Sequence, residues 1–230
     1  MTAIKRIFRY QLWHLLSLAV LVFTVQFYIS NNPNVLSGMF WGLNTKSWLW
    51  LSIAIPVIHQ TYVLLVWRIE LHKRTFSTLL GTGKAFKLYS AGFSLLFVSR
   101  LIAIVFLSAS NKGSLQVDPV VAYLIAALIA PFVLYLFYSV KKYFTIERAY
   151  GIDHFDEEYS EPYEKRGIFK YIDNGMYVFG LMILYLPGLL LFSQAALVAA
   201  LFNHIYIWVH YYCTERPDMK VIYGKIPGKH

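Results

Sequence analysis

The sequence predicts an all-α protein, a polytopic transmembrane helical bundle of about six spans, with both termini cytoplasmic and the last two spans forming a tight hairpin. Three observations carry this reading. Of the 230 residues, 58% are hydrophobic and only 14% are charged, whereas a soluble domain carries about a quarter charged residues. The apolar residues gather into runs of about 20, the length that crosses a bilayer core. All but three of the 21 Lys and Arg residues (Lys46, Arg100 and Lys112) fall in segments that alternate spans would place on one side.

The spans follow in order. Lys5, Arg6 and Arg9 precede an apolar run at 11–30. That run exceeds a signal-peptide core and no small-x-small cleavage site follows, so it reads as a retained first span. Further runs lie near 47–67, 88–108 and 119–140. A last apolar block, 175–213, is too long for one crossing. The "LPG" at 186–188 punctuates helices, which divides the block into spans 175–192 and 194–213. Arg68, Lys73, Arg74, Lys84 and Lys87 then share a side with the N-terminus. So do Lys141, Lys142, Arg148, Lys165, Arg166 and Lys170, and the tail's Arg216, Lys220, Lys225 and Lys229. This is the positive-inside pattern. It assigns the net charge of +9 to anionic lipid headgroups at the cytoplasmic face and leaves no role for nucleic acid. The whole chain, 1–230, reads as one integral-membrane domain.

The sizeable polar segments, loop 141–174 and tail 214–230, fall on that same face, so a site for a soluble cofactor belongs between them. There is no internal repeat and no phosphate-binding glycine loop. The lone Cys213 permits no internal disulfide and reads as an apolar filler.

Several residues stand out against the apolar background. His204, Trp208, Tyr211 and Glu215 are spaced 4, 3 and 4, which places them on one helical face. That face is either a structural contact stripe with an interfacial aromatic belt or one wall of a ligand cavity, with His204 and Trp208 as substrate-binding candidates. Glu215-Arg216-Pro217 reads as a helix end, with Pro217 stopping the helix and the dipole favouring Arg216. The dipole disfavours Glu215 there, which points to a functional reason for it. His59, Gln60 and Arg100 lie within spans. Arg100 is read either as holding a lipid phosphate or as a structural partner of the second span's polar groups. The stretch "DHFDEEYSE" reads as a solvated acidic loop or as an attractor for a cationic headgroup. Its spacing matches no metal motif, so no metal is expected.

The segment "RGIFKYIDNGMYVFG", the hairpin after it and the closing "ERPDMKVIYG" together resemble the integral-membrane methyltransferases. These include phospholipid N-methyltransferases and isoprenylcysteine carboxyl methyltransferases, and the phosphatidylethanolamine-methylating branch is the nearest in pattern. That family shows Gly-aromatic-x-Tyr-x-Arg-His-Pro-x-Tyr, a helical hairpin, then a Glu-Glu pair. Gly167, Phe169 and Tyr171 match the start, and Met176, Tyr177 and Gly180 the end. Glu215, Pro217 and Tyr223-Gly224 match the closing segment. Asp173, Asn174 and Gly175 replace the Arg-His-Pro triplet, and Arg216 replaces the second Glu. The resemblance covers about 60 residues and the span layout.

The resemblance implies S-adenosylmethionine as cofactor and a membrane lipid as acceptor, most simply a phospholipid amine such as phosphatidylethanolamine. It implies a cofactor site among Gly167, Tyr171, Asn174, Gly175, Tyr177, Tyr211, Glu215 and Arg216. In that site Arg216 would hold the carboxylate, Glu215 the ammonium or ribose, and the tyrosines the ring or sulfonium. A lipid amine must lose a proton before methylation. Asp173, Glu215 and His210 are the catalytic candidates, with Asp153, His154, Asp156, Glu157 and Glu158 behind them. Three other readings stay open: carboxyl methylation of a prenylated or isoprenoid-like acceptor, a non-catalytic lipid-binding scaffold with a degenerate motif, and a nicotinamide-dependent reductase on a related scaffold.

Overall fold

The computed structural model describes residues 2–159, 161 and 164–224. Lys225, Lys229 and Ser160 of the acidic stretch lie outside them. The fold is a helical membrane bundle built on α1 (Gln11–Asn31), α2 (Thr45–Lys73), α3 (Thr82–Ser110), α4 (Pro119–Ser139) and α5 (Gln194–His210). A pair of two-residue strands, Met39–Phe40 with Leu43–Asn44, turns the chain before α2. Four helical runs are long and apolar enough to cross a membrane: Ala3–Asn31, Thr45–Lys73, Thr82–Ser110 and Pro119–Phe144.

The caps explain where the helices begin. Asn44 Oδ1 accepts from the Ser47 N–H at 2.8 Å and starts α2. Asp118 Oδ1 accepts from the Val120 N–H at 2.7 Å and starts α4, with Pro119 in the first turn where its missing N–H costs nothing. Pro56 and Pro131 sit inside α2 and α4. Such prolines are tolerated in membrane helices because neighbours re-satisfy the freed backbone groups.

Between α4 and α5 the chain makes a shorter apolar pass, Gly175–Leu190. It is assembled from helix Gly175–Val178, a 3-10 segment Gly180–Leu184 and helix Tyr185–Leu190. The "LPG" triplet is not the hairpin turn. Pro187 and Gly188 lie inside the helix Tyr185–Leu190, and the turn falls at 191–193, where Phe192 takes a positive φ of 52°. Pro187 is tolerated because it sits in the first turn of that short helix. Gly188 serves close packing, since a Cβ there would lie 2.8 Å from Leu197 of α5. The turn is clamped by the loop after α3. The Gly113 N–H donates to the Leu191 carbonyl at 3.0 Å, and the Leu115 N–H to that of Phe192 at 2.8 Å.

The core forms where α5 threads between its neighbours. Ala195, Ala196, Ala199 and Ala200 are fully buried against Val25 and Ile29 of α1, Leu49 and Ile53 of α2, and Ile104 and Leu107 of α3. In lipid, helices associate through close packing rather than through the hydrophobic effect, and small residues allow it. The large apolar side chains Leu12, Phe23 and Phe27 of α1, with Leu124, Leu128 and Leu134 of α4, face outward.

The segments that the charge pattern assigns to one side do meet at one end of the bundle. Arg68, at the end of α2, donates through Nη1 to the carbonyls of Ile7 and Arg9 at 2.8 and 2.6 Å, and through Nη2 to that of Cys213 at 2.9 Å. Arg74 Nη1 donates to the Phe155 carbonyl at 2.6 Å. The N-terminal segment, the loop after α4 and the tail are thereby tied together at what is called below the basic end.

Candidate functional site

The last helix does not stop at Pro217. It passes from α5 through a π-helical turn, Tyr211–Glu215, into α6 (Arg216–Tyr223), with Pro217 in the first turn of α6. The missing Pro217 N–H therefore falls at a helix start rather than forcing a helix end. This corrects the reading of Glu215 as a residue at an unfavourable C-terminus, because the helix runs on past it through α6. The wide π-turn re-aims the side chains, a device frequent at functional sites.

Around this turn, at the basic end, lies a polar chamber of about 320 Å³, at the lower end of the usual size for small-molecule sites. Asp173, Asn174 and Tyr177 line it from the segment before α5, Tyr211, Glu215 and Arg216 from the π-turn, and Asp153 and His154 from the loop after α4. The Tyr177 hydroxyl donates to Glu215 Oε2. Its ring packs at 5.5 Å from that of Tyr211 and 5.8 Å from that of Trp208. Burial pushes the Glu215 carboxyl up to about 7, a rise the Tyr177 bond only partly opposes.

An ionic network adjoins the chamber through Asp153, His154 and Tyr223. Arg68 Nε donates to Asp218 Oδ1 at 3.0 Å. His154 Nδ1 lies 3.0 Å from Asp153 Oδ1, and His154 Nε2 lies 3.7 Å from Asp218 Oδ2, an electrostatic contact beyond hydrogen-bond length. The Tyr223 hydroxyl donates to Asp153 Oδ2 at 3.1 Å. Burial works against charge on His154, but Asp153 and Asp218 outweigh it and raise the imidazole to about 9. Burial likewise works to raise the Asp153 carboxyl, and the bonds from His154 and Tyr223 hold it below its usual range. The Trp67 indole stacks on His154 at 4.1 Å. Gly151 allows that approach, since a Cβ there would lie 2.5 Å from the indole.

A second chamber of about 280 Å³ runs into the bundle. Its walls are mainly apolar, with Val63, Phe93, Phe97, Leu136, Phe137 and Ile207 among them, and His59, Arg100 and His210 also line it. Trp67, Met176, Tyr177 and Glu215 line both chambers. The Tyr177–Glu215 pair therefore stands at the boundary between a polar, cofactor-sized space and an apolar one.

The structure brings Asp173, Asn174, Tyr177, Tyr211, Glu215 and Arg216 to the polar chamber, and Arg100 and His210 to the apolar one. The Arg216 guanidinium also lies 5.6 Å from the Tyr212 ring centroid. Five expected residues line neither chamber. Gly167, at φ 60°, packs so closely on Ser139 that a Cβ would lie 2.5 Å from its hydroxyl. Tyr171 is 76% exposed. Gly175 is buried beside Ile168 and Ile172. His204 packs on Tyr185 at 5.7 Å. Trp208 supports Tyr177 from behind rather than lining a cavity. The acidic stretch divides: Asp153 and His154 turn inward, while Asp156, Glu157 and Glu158 stay toward the surface. No metal-holding group of three His, Cys, Asp or Glu residues occurs among the described residues. Sequence reasoning missed Arg68, Trp67 and Asp218. The one available signal was an Arg at the end of a span with an aromatic neighbour.

Comparison with family models matched residues 119–226 to phospholipid methyltransferase. No curated protein and no solved structure matched.

Proposed function

Residues 119–226 match the phospholipid methyltransferase family model, and from that similarity we propose that this multi-pass membrane protein transfers a methyl group from S-adenosylmethionine to a membrane-embedded lipid amine, such as that of phosphatidylethanolamine. The single observation that supports the reading most is the Tyr177–Glu215 pair between a polar chamber and an apolar one. A water-soluble donor and a lipid acceptor need two such compartments meeting at one reacting point.

The donor set of the polar chamber fits the cofactor. Arg216 suits its carboxylate by a paired contact, Asp173 its ammonium, and Tyr211 and Trp67 its ring. When bound, S-adenosylmethionine supplies a methyl carbon already activated by a positively charged sulfur leaving group. The chain's own work is positioning and proton removal. Glu215, raised to about 7, takes the proton from the lipid ammonium, and Tyr177 holds the carboxylate aimed at the boundary. The neutral amine so formed would be the acceptor for the methyl group that the bound cofactor would supply. The cofactor enters from the cytoplasmic face and the lipid enters sideways from the bilayer. His210, inside the apolar chamber, is a less apt base because it is set back from the polar one.

One observation favours a second reading. Asp173, Asn174 and Gly175 stand where the resemblance expects Arg-His-Pro, which fits a lipid-binding scaffold that has lost catalysis. Calorimetry of S-adenosylmethionine on detergent-purified protein separates the two. The methyltransferase reading expects micromolar binding that Arg216→Ala and Tyr211→Ala abolish and Glu215→Gln largely retains. No binding by folded, lipid-loaded protein gives the scaffold reading the lead.

A further inference from the structure

Arg100 of α3 is 4% exposed and sits at the inner end of the apolar chamber. Its Nε donates to Asn203 Oδ1 at 3.1 Å, and its Nη1 lies 3.5 Å from His59 Nδ1. Both partners are neutral acceptors. No acidic side chain pairs with Arg100 among the described residues, and its Nη2 has no hydrogen-bond partner. A buried charge without a counter-ion is costly to keep, which points to a ligand that supplies the missing negative charge.

The neighbouring histidines sharpen the argument. His59 is 1% exposed and accepts from Arg100 at Nδ1, which places its proton on Nε2. That N–H also has no partner. His210 is 2% exposed, lines the same chamber, and has neither ring nitrogen bonded. At least two donors, one carrying full charge, thus stand on the wall of a mainly apolar chamber without a hydrogen-bond acceptor of their own.

We propose that Arg100 and His59, with His210 beside them, form a binding site for an oxyanion carried on a lipid, a phosphate or carboxylate, at the inner end of the apolar chamber. The chamber's apolar walls require that the anion arrive attached to an apolar body. The site is separate from the point of methyl transfer. Asn203, which holds Arg100, precedes Glu215 by twelve positions, roughly 18 Å of helix. His59 and Arg100 lie outside the matched stretch 119–226, so the two principal donors of the site come from the remainder of the chain.

The test uses purified full-length protein in detergent and three probes: dioctanoyl phosphatidylglycerol, which has a phosphate and no amine; dioctanoylglycerol, which has neither; and inorganic phosphate. The site expects phosphatidylglycerol affinity to fall about tenfold or more in Arg100→Gln, while dioctanoylglycerol binds wild type and variant alike and inorganic phosphate does not compete. His59→Phe provides a second variant with the same expected direction should Arg100→Gln fail to fold. Phosphatidylglycerol binding unchanged within about twofold in folded Arg100→Gln overturns the proposal. Inorganic phosphate binding through Arg100 overturns its lipid-borne form. Arg100-dependent lipid binding in a protein that does not bind S-adenosylmethionine supports this site and sinks the methyl-transfer reading.

Discussion

The Tyr177 hydroxyl donates a hydrogen bond to Glu215 Oε2 from the segment that precedes α5. One residue comes from the start of the short pass and the other from the π-turn 38 positions later. The bond closes the wall between the two chambers and aims the carboxylate. Because burial raises that carboxyl to about 7, methyl transfer to an amine is expected to rise with pH through about 7 and then level. Glu215→Gln should lose about 100-fold or more in turnover. Tyr177→Phe removes a contact that favours the charged form, so the inflection should move to higher pH. A pH–rate profile of the three proteins reads this.

Glu215 also carries a stability signature. Its folded value lies above the ordinary 4.5, so the folded state holds the proton more tightly than the unfolded one. Its ionisation therefore costs stability as pH rises from about 4.5 to about 7. Glu215→Gln should match wild type in thermal midpoint near pH 4 and exceed it at pH 8. Equal midpoints at both values would remove the claim that the carboxyl is buried at a cost.

His154 behaves in the opposite sense. Its folded value of about 9 lies above 6.5 because of Asp153 and Asp218. The stability it contributes is fully present below 6.5 and is lost as pH rises through about 9. Thermal midpoints of wild type should decline over that window, and His154→Gln should flatten the decline.

Arg68 and Asp218 form a buried pair, both almost without exposure. Removing one partner of such a pair typically costs about 3–5 kcal/mol, because the other charge is left uncompensated. Asp218→Asn should cost less than Asp218→Leu, since the amide oxygen can still accept from Arg68 Nε. Denaturation of both variants in detergent checks the order.

Gly151 takes φ 79° and lies against Trp67. Gly151→Ala adds a left-handed penalty of about 1–2 kcal/mol and pushes on an indole that walls both chambers. S-adenosylmethionine affinity should fall about tenfold, measured by calorimetry on protein that still unfolds cooperatively.

The bundle was legible because its spans are long and its basic residues are sorted, and both patterns operate over whole helices. The hairpin turn falls between the expected spans 175–192 and 194–213, but the "LPG" triplet does not make it, because Gly188 has a packing use that local punctuation does not reveal. The polar chamber was half legible. Tyr177 and Glu215 stood out by resemblance and Arg216 as a departure from it, but the π-turn that aims them leaves no trace in a pattern read at 3.6 residues per turn. Arg68 reads as one more positive-inside residue, and only the folded tail shows that it holds Asp218. Gly167 carries the motif yet serves packing, which a motif alone cannot distinguish from ligand contact.

The most direct test of the account is transfer of an isotopically labelled methyl group from S-adenosylmethionine to phosphatidylethanolamine, with the protein reconstituted in bilayer discs. The account predicts label in the lipid fraction with wild type and a loss of about 100-fold or more with Glu215→Gln. Label in the lipid fraction to the same extent with Glu215→Gln would contradict the role given to the Tyr177–Glu215 pair. No label with folded wild-type protein that binds both ligands would contradict the methyl-transfer claim itself.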